Sequence, residues 1–314
     1  MNRVPQVAAG DLRRQRTAIR NVLHEGIARL ETAHVPSAGL AAELLLMHAT
    51  GRNRTWLYAH PEEEVGGEAR ERFLVLVARR AEGTPTQYLA GHQEFWGLEF
   101  EVTPDVLIPR PETEHVVEVA LARFRDRWSD LKNTQLRIAD IGTGSGCLAV
   151  ALANELPNAR FVATDISLAA LSVARRNAAR HGVASRVEFV ECNLLDTTAR
   201  EFGAHDIQLF DLIVSNPPYV ARDDAATLPR EVRDHEPHVA LFAGESGLDF
   251  YAPLVNAAET LLVTGGALVV ELGYNSAKFV RALLSTVSWR DVRVADDLAG
   301  MARVASAVRA GGEP

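Results

Sequence analysis

Cysteine is almost absent from this chain of 314 residues: only Cys147 and Cys192 occur. Two cysteines supply no disulfide framework, and such scarcity suits a reducing compartment. Long apolar runs are missing too. The most apolar stretch toward the end, LLVTGGALVV at residues 261–270, is broken by Gly265 and Gly266 and falls short of the roughly 20 residues a membrane-crossing helix needs. MNRVPQVAAGDLRRQR holds no unbroken apolar segment, so no secretory leader is expected. Positive charge is not in excess either: 33 Lys and Arg face 41 Asp and Glu, a net charge of −8. That balance does not favour wrapping duplex DNA, whose affinity comes largely from phosphate neutralisation. It leaves room for a protein partner that itself works with nucleic acid. The expectation is a cytoplasmic protein without a membrane anchor or direct nucleic-acid contact. Internal repeats and low-complexity tracts are absent as well.

The length suggests two domains, and 47% hydrophobic residues suffice for full cores. In residues 11–30, Leu12, Ile19, Leu23, Ile27 and Leu30 recur near helical spacing. AGLAAELLLMHAT, residues 38–50, reads as a second helix stopped by Gly51. Residues 68–81, with Phe73, Leu74 and Val77 on one side, read as a third. Residues 1–92 are therefore expected to form a small helical bundle. Residues 93–112 are expected to hold a β-hairpin, EFWGLEFEVT around Gly97, and a stiff linker in which prolines flank Arg110. From residue 113 a helix should run to about 127, and from residue 136 strands and helices alternate. LRIADI, RFVATDI, RVEFVEC, FDLIVS and ALVVELG read as strands, and VRVADD with ARVASAVR as a closing pair. Such alternation predicts an α/β domain, residues 113–314, with a mostly parallel sheet covered on both faces. The AGGEP tail is expected to fray.

DIGTGSGC, residues 140–147, stands where the first strand of that domain hands over to a helix. Gly142, Gly144 and Gly146 let the backbone approach a ligand closely, and a helix start offers free N–H groups. The spacing is G-x-G-x-G, not the G-x-G-x-x-G of dinucleotide loops. It resembles the first motif of class I methyltransferases, which implies a Rossmann-like seven-stranded sheet with S-adenosylmethionine held around Gly142, Thr143, Gly144, Ser145 and Gly146. Asp165 ends the second strand, where a carboxylate can accept from two ribose hydroxyls. Its alternative role is to cap the next helix. Asn193 and Leu194 follow the third strand, placed to flank an adenine.

After FDLIVS comes SNPPYV, residues 215–220. Proline fixes its own φ and biases the residue before it toward extended geometry. Asn216, Pro217 and Pro218 are thus stiffened before any substrate arrives. Prolines lack N–H, so the stretch presents acceptors: the Asn216 side-chain oxygen and the Pro217 carbonyl. Tyr219 is expected to add a flat face. Two acceptors and a flat face suit a planar NH2 group whose nitrogen must be aimed at a methyl carbon. Behind a strand, and in one chain with the glycine loop, the pattern points to N-methylation of a planar amine.

The whole chain resembles the release-factor glutamine methyltransferases, carried by AAELLLMHATG, EFWGLEFEV, LIPRPETE, DIGTGSG, SNPPYV, EVRDHEPHVALFAGESGLDFY and GGALVVELG. EFWGLEF with IPRPETE separates it from DNA adenine methyltransferases that share NPPY. Pro111 and Glu112 after Arg110 separate it from sibling enzymes acting on a large-subunit ribosomal protein. The resemblance implies methyl transfer from S-adenosylmethionine to the side-chain amide nitrogen of the glutamine in the GGQ motif of peptide-chain release factors. It implies Asn216, Pro217 and Tyr219 as catalytic residues, with Pro218 beside them against the glutamine. It also implies Gly142 to Gly146, Asp165, Asn193, Leu194 and Asn216 at the cofactor, the helical domain as a docking element, and a monomer. Asn193 departs from the acidic residue often found there and so lacks its charge. The rival readings are a ribosomal-protein glutamine methyltransferase, a DNA adenine methyltransferase and a non-catalytic cofactor-binding module.

DHEPH, residues 234–238, lacks metal-site spacing and is expected to be a loop near the substrate cleft. Arg110, Glu112 and Glu114 are read either as cofactor-site wall or as an ion-paired connector. Arg13, Arg14, Arg16 and Arg20 are read either as a contact for ribosomal RNA or an acidic partner face or, in preference, as a solvated helix face.

Overall fold

The computed structural model describes residues 17–127, 135–194 and 209–311. Leu12, Arg13, Arg14, Arg16 and the last residues of the AGGEP tail lie outside them. The chain divides into two compact units: one takes Gly91 and the described residues before it together with Pro229–His235, and the other takes the rest.

The first unit is helical. Its main helices are α1 (Ile19–Thr32), α2 (Ala38–Thr50) and α4 (Gly67–Ala81), with short helices α3 (Arg54–Ala59) and α5 (Thr86–Ala90) between and after them. Ile19, Val22, Gly26 and Leu30 give α1 one buried stripe, and α2 buries Ala41, Ala42, Leu45, Leu46 and Ala49. Gly51 ends α2 in the left-handed conformation, φ 67°, as its lack of Cβ allows. Helix α3, absent from the periodicity, starts because the Asn53 side chain accepts from Trp56 N at 2.8 Å.

The second unit opens with a hairpin, β1 (His92–Phe95) and β2 (Leu98–Glu101). Its turn residues Trp96 and Gly97 both have positive φ, 54° and 68°. A short 3-10 turn, Pro111–Thr113, then leads into α6 (Glu114–Arg127). The sheet follows: β3 (Arg137–Ile141), β4 (Arg160–Asp165), β5 (Val187–Glu191), β6 (Phe210–Ser215), β7 (Leu262–Glu271), β8 (Trp289–Asp296) and β9 (Ala302–Arg309). Its order is β5-β4-β3-β6-β7-β9-β8. Strands β3 to β7 pair in parallel, and only β9 runs antiparallel to its neighbours β7 and β8.

Side chains alternate across this sheet. Ile138, Leu212, Val214 and Val269 join one buried cluster with Val116, Ala120 and Leu152. Ala139, Ile213, Leu268 and Val270 join another with Tyr251, Leu254 and Val280. The helices involved are α6, α7 (Cys147–Glu155) and α8 (Leu168–Arg180) on the one side, and α9 (Tyr251–Leu261) and α10 (Ala277–Leu283) on the other. The chain runs from β3 through β4 to β5 and returns as β6 on the other side of β3. The carboxyl ends of β3 and β6 therefore meet at the switch point of an open parallel sheet, where ligands bind in such folds.

Candidate active site

A cavity opens at that switch point. It is lined by Gly142, Thr143, Gly144 and Ser145 after β3, by Asp165 and Ile166 after β4, and by Cys192, Asn193 and Leu194 after β5. Asn216, Pro217 and Pro218 after β6 line it too, with Pro109 and Thr113 from the linker. Gly146 and Tyr219 are not among its lining residues.

Each glycine of the loop has its own reason. Gly142 and Gly144 have φ of 71° and 55° and nothing within 4 Å of where a Cβ would stand, so their backbone borders open space. Gly146, φ 82°, is the N-cap of α7, and a Cβ there would lie 3.1 Å from Ala174 Cβ. The first two glycines shape a cradle; the third lets two helices approach. The loop is pinned from below by Asp140, whose Oδ2 accepts from the Thr143 hydroxyl at 2.6 Å and from Ala149 N at 3.1 Å. Asp140 is fully buried, and burial raises its pKa to about 7. Cys147 is also pushed up by burial, to about 12, and is no thiolate nucleophile.

Asp165 accepts from Gly144 N through Oδ2 and from Ser167 N through Oδ1, both at 2.9 Å. It does not cap α8; Ser167 does, accepting from Ala170 N. Burial raises the pKa of Asp165, against the pull of its backbone hydrogen bonds. A carboxylate has about four lone-pair sites, and the backbone donors of Ser167, Gly144 and Ile166 do not fill them all, so acceptor capacity remains for a ligand's hydroxyl. Leu194 holds a positive φ of 55°, and its carbonyl accepts from the Thr164 hydroxyl at 2.9 Å. Open cradle and spare acceptors fit an adenosyl group with a ribose diol.

The proline corner is anchored on the other side of β3. The Ser215 hydroxyl donates to Ile141 O at 2.7 Å, and Val220 N donates to Leu241 O at 2.9 Å. The Asn216 amide Nδ2 donates to the Thr113 hydroxyl at 3.1 Å, and no donor among the described residues meets its Oδ1. The sequence predicts that Tyr219 adds a flat face. Its hydroxyl instead donates to Glu271 Oε1 at 3.2 Å. A Cβ on Gly273 would come within 2.8 Å of the Tyr219 ring, and one on Gly247 within 2.5 Å of Tyr219 O. GESGLDFY and VVELG thus carry glycines where Tyr219 needs room.

Thr113 and Glu271 went unnoticed in the sequence as site residues. Glu271 ends a strand whose apolar pattern offers no signal for a buried carboxylate, and Thr113 is hidden among the charges of IPRPETE. Arg110 does not line the cavity: it donates to Glu236 Oε1 of DHEPH at 2.5 Å, so it is an ion-paired connector. Glu114 accepts from Trp96 N at 2.7 Å and holds the hairpin turn. No group of three potential metal ligands occurs among the described residues.

Two family models match the chain: the PrmC N-terminal domain over residues 21–91 and the methyltransferase small domain over residues 128–231. The release factor glutamine methyltransferase of Koribacter versatilis is 41% identical over 288 residues, 91% of this chain and 96% of that protein. The one from Deinococcus radiodurans is 42% identical over 294 residues, 94% of this chain and 99% of that protein.

The chain belongs to the release factor glutamine methyltransferase family.

Membership makes it a glutamine methyltransferase with a methyl donor of the S-adenosylmethionine type. A solved structure, the hMettl16 catalytic domain in complex with MAT2A 3′UTR hairpin 6, shares the methyltransferase fold. It has a TM-score of 0.52 and 19% identity, over 75% of this chain and 81% of that one. In this family member no helix among the described residues is long and apolar enough to cross a membrane.

Proposed function

We propose that this glutamine methyltransferase transfers a methyl group from S-adenosylmethionine to the side-chain amide nitrogen of the GGQ glutamine in peptide-chain release factors. S-adenosylmethionine supplies, when bound, a methyl carbon made electrophilic by a positively charged sulfur. Gly142 to Gly146 would hold it in the cradle, Asp165 at the ribose, and Asn193 and Leu194 beside the adenine. Asn216 and Pro217 do the work on the glutamine. Their two carbonyl oxygens take the two hydrogens of its amide, with Pro218 and Tyr219 stiffening the corner.

An amide nitrogen is a poor nucleophile because its lone pair is delocalised into the carbonyl. Oxygens fixed on its hydrogens favour the positive charge that builds as the nitrogen attacks, and they turn the lone pair toward the cradle. Holding two reactants in line supplies several kcal/mol, up to ~7–11 in ideal cases. The observation that supports this most is that Asn216, with its oxygen unbonded, and the glycine loop line one cavity. The helical residues 1–92 would dock the release factor, residues 93–112 link, and residues 113–314 carry the chemistry. We assign the enzyme to the cytoplasm as a monomer.

The test incubates the protein with methyl-labelled cofactor and, separately, a release factor, a large-subunit ribosomal protein and duplex DNA. Label on the release factor's GGQ glutamine is the expected result. Label confined to another acceptor overturns the substrate; bound cofactor with no label anywhere overturns the catalytic reading.

A further inference from the structure

Two segments that line the cavity lie outside the sheet: the linker, through Val106, Leu107 and Pro109, and the stretch that follows DHE, through Pro237, Val239 and Ala240. Prolines stiffen the linker but attach it to nothing. They fix φ and carry no N–H, so from Ile108 to Pro111 only Ile108 and Arg110 keep a backbone donor. Glu236 supplies the attachment. Its Oε2 accepts from Ile108 N at 3.3 Å, and its Oε1 accepts from the Arg110 guanidinium at 2.5 Å. Glu236 is 3% exposed, so little water competes for these charge-assisted bonds.

Further hydrogen bonds carry this clasp to the proline corner. The Arg110 carbonyl accepts from Thr113 N at 3.1 Å, and the Thr113 hydroxyl accepts from Asn216 Nδ2 at 3.1 Å. Beyond the corner, Val220 N donates to Leu241 O and Ala243 N to Val220 O, both at 2.9 Å. Linker, proline corner and residues 236–243 thus hold one another in a closed ring, and Asn216 stands in it. The glycine loop, Asp165 and Asn193 supply none of these bonds; they hang on β3, β4 and β5.

We propose that Glu236 and Arg110 are positioning residues for the methyl acceptor: their ion pair locks the linker to residues 236–243 and so fixes where the Asn216 carboxamide stands. What this achieves in catalysis rests on the methyl-transfer reading above; the clasp itself is a property of the chain. Neither side chain lines the cavity, so both act through Thr113 and the proline corner. An apolar pair could fill the same space, but it would not set the register of two segments that no strand aligns. A reaction that depends on holding two reactants in line is sensitive to such a frame, since a displacement of about 1 Å costs about a hundredfold in rate.

The test compares Arg110→Met, Arg110→Lys and the double variant Arg110→Met with Glu236→Gln against the parent on a release factor. Arg110→Met should lower kcat roughly 10- to 100-fold, while the Kd for cofactor, read by calorimetry, stays within about threefold of the parent's. Arg110→Lys keeps a cation for Glu236 and should recover most of the rate. Arg110→Met strands a buried carboxylate, which is strongly destabilising; the double variant strands none and should keep a Tm near the parent's with kcat as low as in Arg110→Met. A second measurement needs no substrate: in asparagine-labelled protein, the Asn216 side-chain NMR signals should move in the double variant and stay in place in Arg110→Lys. Parent kcat in the double variant, unmoved Asn216 signals, or a loss of cofactor affinity as large as the loss of kcat overturns the proposal. Displaced Asn216 signals in the double variant, together with a parent that methylates no release factor, overturn the substrate reading and leave the clasp standing.

Discussion

Asn177 treats Glu101 as a neighbouring strand would. Its Oδ1 accepts from Glu101 N at 2.7 Å, and its Nδ2 donates to Glu101 O at 3.0 Å. The same nitrogen donates to Ser145 O at 2.9 Å, so one buried amide ties the hairpin to the glycine loop. Replacing Asn177 with Leu strands three backbone groups and should cost about 2–4 kcal/mol. Urea unfolding measures it, and cofactor affinity should fall as well because Ser145 loses its tether. Wild-type stability in the variant would show that the tether is idle.

Gly144 and Gly146 should respond differently to alanine. Both have left-handed φ, 55° and 82°, and each Cβ carries about 1–2 kcal/mol of strain. Only at Gly146 does the new carbon also meet Ala174 at 3.1 Å. Gly146→Ala should therefore lower Tm more, and Gly144→Ala should lower cofactor affinity more. Calorimetry reads both quantities, and the reverse order would contradict the division of labour.

The stability contributed by Asp140 and Glu271 should decline as pH rises from about 4 to about 7. Burial lifts Asp140 from an ordinary 3.8 to about 7 and Glu271 from 4.5 to about 7. Between those limits the folded chain keeps protons that the unfolded chain has released, so these two groups contribute less stability with each step up in pH. Asp140→Asn can still accept from Thr143 and Ala149 and removes one of the two titrations. Its urea midpoints should fall less steeply with pH than the parent's; identical slopes would refute the assignment.

Asn216→Ala should abolish methyl transfer while weakening cofactor binding at most about tenfold, the worth of one modest hydrogen bond. Labelled-methyl transfer and titration calorimetry report the two effects separately. Undiminished turnover would remove Asn216 from its assigned role.

Much of the architecture could be read from the chain. FDLIVS and ARVASAVR coincide with β6 and β9, because a strand buried on both faces is a short apolar run bounded by polar residues. The strand order was not legible, since pairing is decided between segments distant in sequence and leaves no local trace. Strand β7 runs from Leu262 through Gly265 and Gly266, where a register shift between Phe210 and Leu212 of β6 accommodates the irregularity. Glycine and proline spacing disclosed the glycine loop and the proline corner, which depend on backbone shape. The Asn216–Thr113 and Tyr219–Glu271 contacts stayed hidden because each joins segments distant in sequence. Its neighbours in sequence point Tyr219 at the ligand, whereas in the structure its hydroxyl donates to Glu271 and its ring lies against Gly273.

Arg80, a buried residue of α4, finds its ion-pair partner in Glu231 of Pro229–His235, a segment counted with the helical unit. That partner is encoded between β6 and β7. During synthesis the helices leave the ribosome first, and N-terminal domains generally fold first, yet this cation waits for its counter-charge until most of the sheet's strands have been translated. Completion of the helical unit is thereby tied to the emergence of the sheet, and a truncated chain ending after residue 91 would carry that guanidinium unneutralised.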